Sequence, residues 1–320
     1  MPVHDRLALG RLAQEMGFVR DTFEKMCRLA EVLRFIGEDR ELDLILALKG
    51  GTAINLTIFN LPRLSVDIDL DFVGNLTREE TSAKRQRIDE LIGRHMAGDG
   101  YSLNAKSQQT HALDSLVYSY VNAAGNPDTI KVEINYVLRC HPLPVAPARI
   151  RIGQAFTEFQ IRTLSPIEIF ASKIVALAGL GAARDLYDLN NMACFGLFGE
   201  SDLILLRKCA VFYLAVAGKI AASGFSLERL SGITQHKVKT DLYPMIRKSE
   251  RFDLQAAQKR ISAFMDEHMS LSDNEAAFLR RFAEGCYEPV LLFDDEIIIK
   301  RIENHPMAAW RIRHHQKESN

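Results

Sequence analysis

The chain has 320 residues, a hydrophobic fraction of 47%, and 40 Lys and Arg against 41 Asp and Glu, for a net charge of −1. This composition excludes a disordered, collagen-like or disulfide-scaffold protein, and the length predicts two domains, or one with a large appendage. The balanced charge is unlike that of a generic nucleic-acid binder, which is basic overall, although it leaves room for a local basic groove.

Helices are predicted over residues 4–37, where Leu7, Leu12, Met16, Phe23, Met26, Leu29 and Leu33 recur at three-to-four spacing. A short apolar strand, Leu44 to Leu48, runs into Lys49-Gly50-Gly51-Thr52. A helix over 52–60 follows, stopped by Pro62. Residues 65–73 alternate, with Val66, Ile68, Leu70 and Phe72 on one face and Ser65, Asp67, Asp69 and Asp71 on the other. That is a strand with one buried face. A charged helix is predicted over 77–98, then strands near 100–107, 114–123 and 129–138, the last two separated by the turn Gly125-Asn126-Pro127-Asp128. In the last strand Lys131, Glu133 and Asn135 share the polar face.

Residues 140–153, with Pro142, Pro144 and Pro147, are expected to connect two lobes. Beyond them the pattern is helical. Ser165-Pro166-Ile167-Glu168 has the form of a capping box with Pro at the first helical position. Further helices are predicted near 183–195, 201–222, 253–268, 272–285 and 306–315. The five cysteines form no CxxC pair, which argues against a zinc or disulfide framework and for a reducing compartment. With no signal peptide and no run of about 18 apolar residues, a soluble cytoplasmic protein without a membrane partner is expected.

The carboxylate strand is the most informative feature. Alternate residues on a strand lie about 6.5–7 Å apart, so Asp67, Asp69 and Asp71 repel one another unless a positive charge offsets them. A hard divalent cation, with Mg²⁺ the default, fits such oxygen ligands. A merely solvated acidic face is the alternative. The upstream Gly50-Gly51-Thr52 turn presents backbone N–H groups to a phosphate, with the Thr52 hydroxyl as a further donor. It is neither GxxxxGK[ST] nor GxGxxG. The combination implies a nucleoside triphosphate and two metal ions. Glu133 is the candidate third carboxylate; otherwise it is a surface glutamate paired with a lysine. Asp71, one pair further along, is read as a surface carboxylate, with a supporting place behind the metal ligands the alternative.

Leu48-Lys49-Gly50-Gly51-Thr52-Ala53 and Arg63-Leu64-Ser65-Val66-Asp67-Ile68-Asp69-Leu70 together resemble the core of the AbiEii/AbiGii abortive-infection toxins, a branch of the nucleotidyltransferase fold. Leu164-Ser165-Pro166-Ile167-Glu168 with Lys173, and Ala183-Arg184-Asp185-Leu186-Tyr187-Asp188-Leu189, are similar to later segments of that family. The resemblance spans about residues 45–192. It implies an α/β (α+β) nucleotidyltransferase lobe with a mixed sheet, over 1–150 with the N-terminal helices. A mostly helical C-terminal lobe over 151–320 would complete the active-site cleft. It implies Mg²⁺-dependent transfer of NMP from an NTP to RNA, with tRNA 3′ ends as acceptor, and neutralisation by a cognate antitoxin. Phage defence is the implied setting.

On this reading Asp67, Asp69 and Glu133 bind two Mg²⁺ ions, and Gly50, Gly51 and Thr52 hold phosphates. Lys49, Arg63 and Ser65 lie beside them. Lys49 is either a source of positive charge or the partner of an acidic neighbour. Lys173 is either a snorkelling lysine or a nucleotide contact, and Asp185 orients it, touches nucleotide or acts as base; Asp188 is the structural alternative. Two other functions compete: a protein nucleotidylating or phosphorylating enzyme, and a non-catalytic nucleotide- or antitoxin-binding module. At the C-terminal end, Trp310 is expected to pack, with stacking on a base the alternative. The basic segment Arg311–Lys317 is read as a solvated terminus, with contact to RNA phosphates the alternative.

Overall fold

The alternation around Asp69 becomes the middle strand of a sheet. The computed structural model describes residues 5–152, 157–218 and 224–318. They fall into two units. The first comprises Met1–Arg139, Val145–Leu164 and Tyr243–Glu250, and the second Cys140–Pro144, Ser165–Leu242 and Arg251–Asn320.

The first unit contains, in chain order, α1 (Arg6–Glu15), α2 (Arg20–Glu38), α3 (Arg40–Ile45), β1 (Leu46–Leu48), α4 (Gly50–Ala53), β2 (Asp67–Phe72), α5 (Arg78–Gly98), β3 (Ser102–Leu103), β4 (Gln108–Gln109), β5 (Leu113–Val121), β6 (Pro127–Asn135), β7 (Ala146–Ile150) and β8 (Phe159–Thr163). Helix α4 continues into a π-helical turn, Ile54–Ile58. The strand order is β3-β5-β6-β2-β1-β8-β7, with β4 also on β5. Strands β2–β6 and β1–β8 run parallel, while β1–β2, β5–β6 and β7–β8 are antiparallel. The sheet is mixed, as the resemblance implied.

Burial follows the sequence pattern. Ile68, Leu70 and Phe72 of β2 and Val132 and Ile134 of β6 are inaccessible to solvent, as are Phe23, Met26, Leu29, Leu33 and Ile36 at helical spacing on α2 (all 0–1% exposed). Helix α5 buries only Ile88, Ile92 and Met96; its start is held by a Thr77–Glu80 capping box.

Several boundaries differ from expectation. The strand predicted from Leu44 begins at Leu46, because Asp39 accepts from Glu41 and Leu42 N–H and caps α3. The candidate at 100–107 shrinks to two-residue β3. The turn before β6 is Asn122–Asn126, with Asn122 N–H donating to Asn126 O, so Pro127 and Asp128 lie within the strand. Pro127 is tolerated as its first residue. Part of the expected connector, Ala146–Ile150, is instead the edge strand β7, where Pro147 costs little. The expected division at 150/151 falls between the two strands of the β7–β8 hairpin. Residues 4, 153 and 219–222 of predicted segments lie outside the described residues.

The segment Tyr243–Glu250 also belongs to the first unit. Leu64 N–H donates to Met245 O at 2.7 Å, Arg63 bridges to Ile246, and Lys248 N–H donates to Gly17 O at 2.8 Å.

The second unit is helical: α6 (Pro166–Leu180), α7 (Ala183–Cys194), α8 (Glu200–Val216), α9 (Glu228–Ser231), α10 (Gln235–Lys237), α11 (Leu254–His268), α12 (Asp273–Ala283), α13 (Glu296–Ile302) and α14 (Pro306–Glu318). Every residue from Cys209 to Val216 is buried, so the second half of α8 is the centre of this unit. Pro166 stands at the first turn of α6 as expected, but the capping box does not form. Glu168 is fully buried and accepts instead from Leu143 N–H at 2.9 Å and from the Tyr213 hydroxyl at 2.5 Å. A buried carboxylate needs such donors more than a solvated helix end does. No described helix is long and apolar enough to cross a membrane.

Candidate active site

Strand β1 leads into the glycine turn, where Lys49 N–H donates to Asp69 O at 2.9 Å. Gly50 then adopts φ 69°, and a Cβ there would overlap the Asp69 carboxylate. Only glycine fits both constraints. A Cβ on Gly51 would lie 2.6 Å from Arg63 Nη2. The turn is therefore packed directly against the carboxylate strand and the arginine before it.

Thr52 differs from expectation. It is fully buried, with its hydroxyl 2.8 Å from Ser65 Oγ and 2.5 Å from Asp67 O. It ties α4 to the start of β2 rather than facing outward. Arg63 is also buried, and its Nη1 donates to Leu64 O at 2.9 Å. Asn55, which the motif reading passed over, accepts from Arg63 N–H at 3.3 Å and donates to Gly51 O at 2.7 Å. Thr52, Ser65, Arg63 and Asn55 thus make an inner scaffold under the glycine turn.

Asp67 and Asp69 are partly exposed on β2. Parallel pairing with β6 sets Asp67 opposite Lys131, Asp69 opposite Glu133, and Asp71 opposite Asn135. Neighbouring strands lie about 4.8 Å apart, so Asp67, Asp69 and Glu133 are adjacent positions on one face. Asp71 is not a surface carboxylate: it is buried, and Lys49 Nζ lies 2.5 Å from its Oδ1. An ammonium is what a carboxylate at that depth requires. Of the two alternatives for Lys49, the structure shows the acidic partner.

Glu133 Oε1 lies 2.8 Å from Lys131 Nζ. Burial pulls the Lys131 pKa down, but the hydrogen bond to Glu133 and the charges of Glu133, Asp67 and Asp69 outweigh it and raise the value. Lys131 lies on the polar face two residues before Glu133, and it is the lysine partner that the alternative reading of Glu133 expected. By donor chemistry and register, Asp67, Asp69 and Glu133 fit a hard divalent cation. Among the described residues no three His, Cys, Asp or Glu side chains converge as a metal-holding group. Glu133 is paired with Lys131 in this arrangement.

In the second unit Lys173 of α6 lies 2.5 Å from Asp185 Oδ1 and 3.3 Å from Asp188 Oδ2, both on α7. The i, i+3 spacing puts both carboxylates on one side of α7. Lys173 is held by this pair and does not snorkel to solvent.

Residues 34–284 match the family model described as the nucleotidyl transferase AbiEii toxin of type IV toxin–antitoxin systems. The chain belongs to this family. It is accordingly a nucleotidyltransferase toxin of such a system, with a nucleoside triphosphate and an antitoxin as its partners. A solved structure has a similar fold: MenT4, a nucleotidyltransferase toxin from Mycobacterium tuberculosis H37Rv, superimposes with a TM-score of 0.61 at 17% identity. The match covers 96% of this chain and 98% of that one. At that identity the likeness shows the fold. No curated protein matches the chain.

Proposed function

We propose that this toxin transfers an NMP from an NTP to an RNA acceptor, the tRNA 3′ end, releasing pyrophosphate, in the cytoplasm. The observation that carries the reading is the set Asp67, Asp69 and Glu133 on adjacent strand positions, with the Gly50 turn packed on Asp69.

Asp67, Asp69 and Glu133 are the residues that would hold Mg²⁺. Bound there, the ions would supply charge neutralisation for the triphosphate and a lowered pKa for the attacking hydroxyl. Gly50 and Gly51 bring backbone N–H groups toward the phosphates, a role that a side chain at either position would block. Thr52, Ser65 and Arg63 support that turn from beneath. Lys173 serves as a phosphate-contacting ammonium, and Asp185 orients it. A fixed positive group suits the charge that builds up in phosphoryl transfer. Binding of the cognate antitoxin suppresses the reaction.

Purified protein incubated with total tRNA, Mg²⁺ and each α-³²P-labelled NTP in turn tests this, with Asp67→Ala as control. Label on RNA with pyrophosphate release is the expected result. Label on protein would move the function to nucleotidylation of a protein hydroxyl. No transfer to any acceptor, with binding of nucleotide retained, would favour a non-catalytic module. Lys173→Met is expected to lose activity and to melt below the parent, because it leaves Asp185 and the buried Asp188 without their ammonium.

A further inference from the structure

The two cations expected beside the phosphates in the first unit are both committed elsewhere. Lys49 Nζ lies 2.5 Å from the buried Asp71 carboxylate. Arg63 is buried, with Nη1 donating to Leu64 O at 2.9 Å. Turning either toward a ligand would strand a buried carboxylate or carbonyl. Lys131 is placed differently. It stands on the site face of β6, in register with Asp67 and two residues before Glu133. Its side chain keeps 40% of its surface exposed, and its partner at 2.8 Å, Glu133, belongs to the carboxylate set itself. Asp67 and Asp69 also act on its charge. The neighbouring face of β5 offers Ser115, Val117 and Ser119, opposite Glu133, Lys131 and Thr129. Among the described residues, Lys131 is therefore the only cation on this face of β2, β6 and β5.

A lysine whose partner is a metal ligand has a conditional place. A divalent cation on Glu133 carries twice the charge of the ammonium, competes for the same oxygens and repels it. The lysine is a compact point charge on a flexible four-carbon stem, so it can leave Glu133 while its backbone stays in the strand. An anion brought to the same carboxylate face is then its natural partner. Phosphoryl-transfer sites commonly add a lysine to the metal ions for this purpose, since three carboxylates already consume most of the ions' charge.

We infer that Lys131 is a nucleotide-binding residue: the ammonium that Glu133 holds in the metal-free site is the one that contacts the phosphates of the bound triphosphate. The inference rests on the nucleotidyl-transfer reading of this site, but binding is measured without turnover.

The full-length protein is titrated by calorimetry, at saturating Mg²⁺, with the α,β-methylene analogues of ATP, GTP, CTP and UTP, which have no cleavable bond to pyrophosphate. The analogue that the parent binds most tightly is then compared among variants. Lys131→Met is expected to weaken it about ten-fold or more, the loss of one charge-assisted contact. The salt dependence between about 50 and 200 mM should flatten in the same variant. Lys131→Arg should retain most of the affinity. Mn²⁺ binding without nucleotide should move the opposite way and become tighter in Lys131→Met. A lysine that only props the strand would weaken both. Asp69→Asn should weaken both.

Nucleotide held by Lys131→Met as tightly as by the parent would overturn the inference. Lys131 would then be a counter-ion of Glu133 alone, with the nucleotidyl-transfer reading intact. Weakening of Mn²⁺ and nucleotide together in Lys131→Met would overturn it too. A parent that binds none of the four analogues would remove the inference and the reading of the site at once. Weakened nucleotide with tightened Mn²⁺, together with transfer of label only to protein, would leave Lys131 in place and change the acceptor.

Discussion

Asp69 and Glu133 stand opposite each other in register on two parallel strands, β2 and β6. Each is one removal away from breaking the carboxylate set. Asp69→Asn and Glu133→Gln should each lower transfer by at least about 100-fold, the scale seen when one charge-stabilising group is lost from a site. Neither should lower the melting temperature, because each also removes like-charge repulsion. Full turnover by Glu133→Gln would take that residue out of the site.

Lys131 shares this face and draws Glu133 to itself. Lys131→Met is expected to tighten Mn²⁺ binding about five-fold, equivalent to about 1 kcal/mol, the scale of the Coulomb interaction between unit charges about 4 Å apart in water. Free Mn²⁺ is counted by electron paramagnetic resonance. Lys131→Arg should bind the ion like the parent.

Gly50→Ala forces a positive φ on a residue with a side chain and drives its Cβ into Asp69. A loss of about 1–3 kcal/mol is expected in urea unfolding, together with weakened Mn²⁺ binding. Gly10→Ala is the contrasting substitution. Gly10 lies within α1, where a Cβ meets nothing, and a gain of about 0.5–1 kcal/mol is expected.

Lys49→Met leaves the Asp71 carboxylate buried without its ammonium. The expected cost is about 3 kcal/mol. Adding Asp71→Asn should recover a large part, which separates loss of charge balance from loss of lysine packing. Equal denaturation midpoints for single and double variants would refute the ion-pair account.

His95 stacks on Phe35 at 3.8 Å, centroid to centroid, and burial lowers its pKa below the usual 6.5, only partly opposed by Asp99. The folded protein therefore binds this proton less readily than the unfolded chain. The contribution is complete above about pH 6.5 and declines as pH falls through the lowered value. The slope is at most about 1.4 kcal/mol per pH unit. Unfolding midpoints between about pH 5 and 7.5 should decline more steeply for the parent than for His95→Phe.

The face of the carboxylate strand was legible because one side of β2 is wholly apolar, and alternation then assigns every aspartate to the other side. The register with β6 was not legible, since strand pairing depends on contacts far along the chain. Hydroxyl and carboxylate destinations failed for the same reason. Thr52 sits in a phosphate-type motif yet turns inward to Ser65 and Asp67, and Glu168 occupies a capping-box position yet serves Tyr213 and the Leu143 amide. Pro147 suggested a linker because proline punctuates, but an edge strand tolerates it equally. The close of α8 carried no periodic signal because all of its faces are buried.

The hydrogen bond from Leu64 to Met245 has a temporal meaning as well. On the ribosome, Met245 emerges about 180 residues after Leu64, roughly 10–40 s at ordinary translation rates. Through that interval the approach to β2 lacks its Tyr243–Glu250 clasp. The carboxylate strand of a nascent toxin therefore matures late, when three quarters of the polypeptide has been made. Messages cut or stalled upstream of Tyr243 yield chains without that clasp.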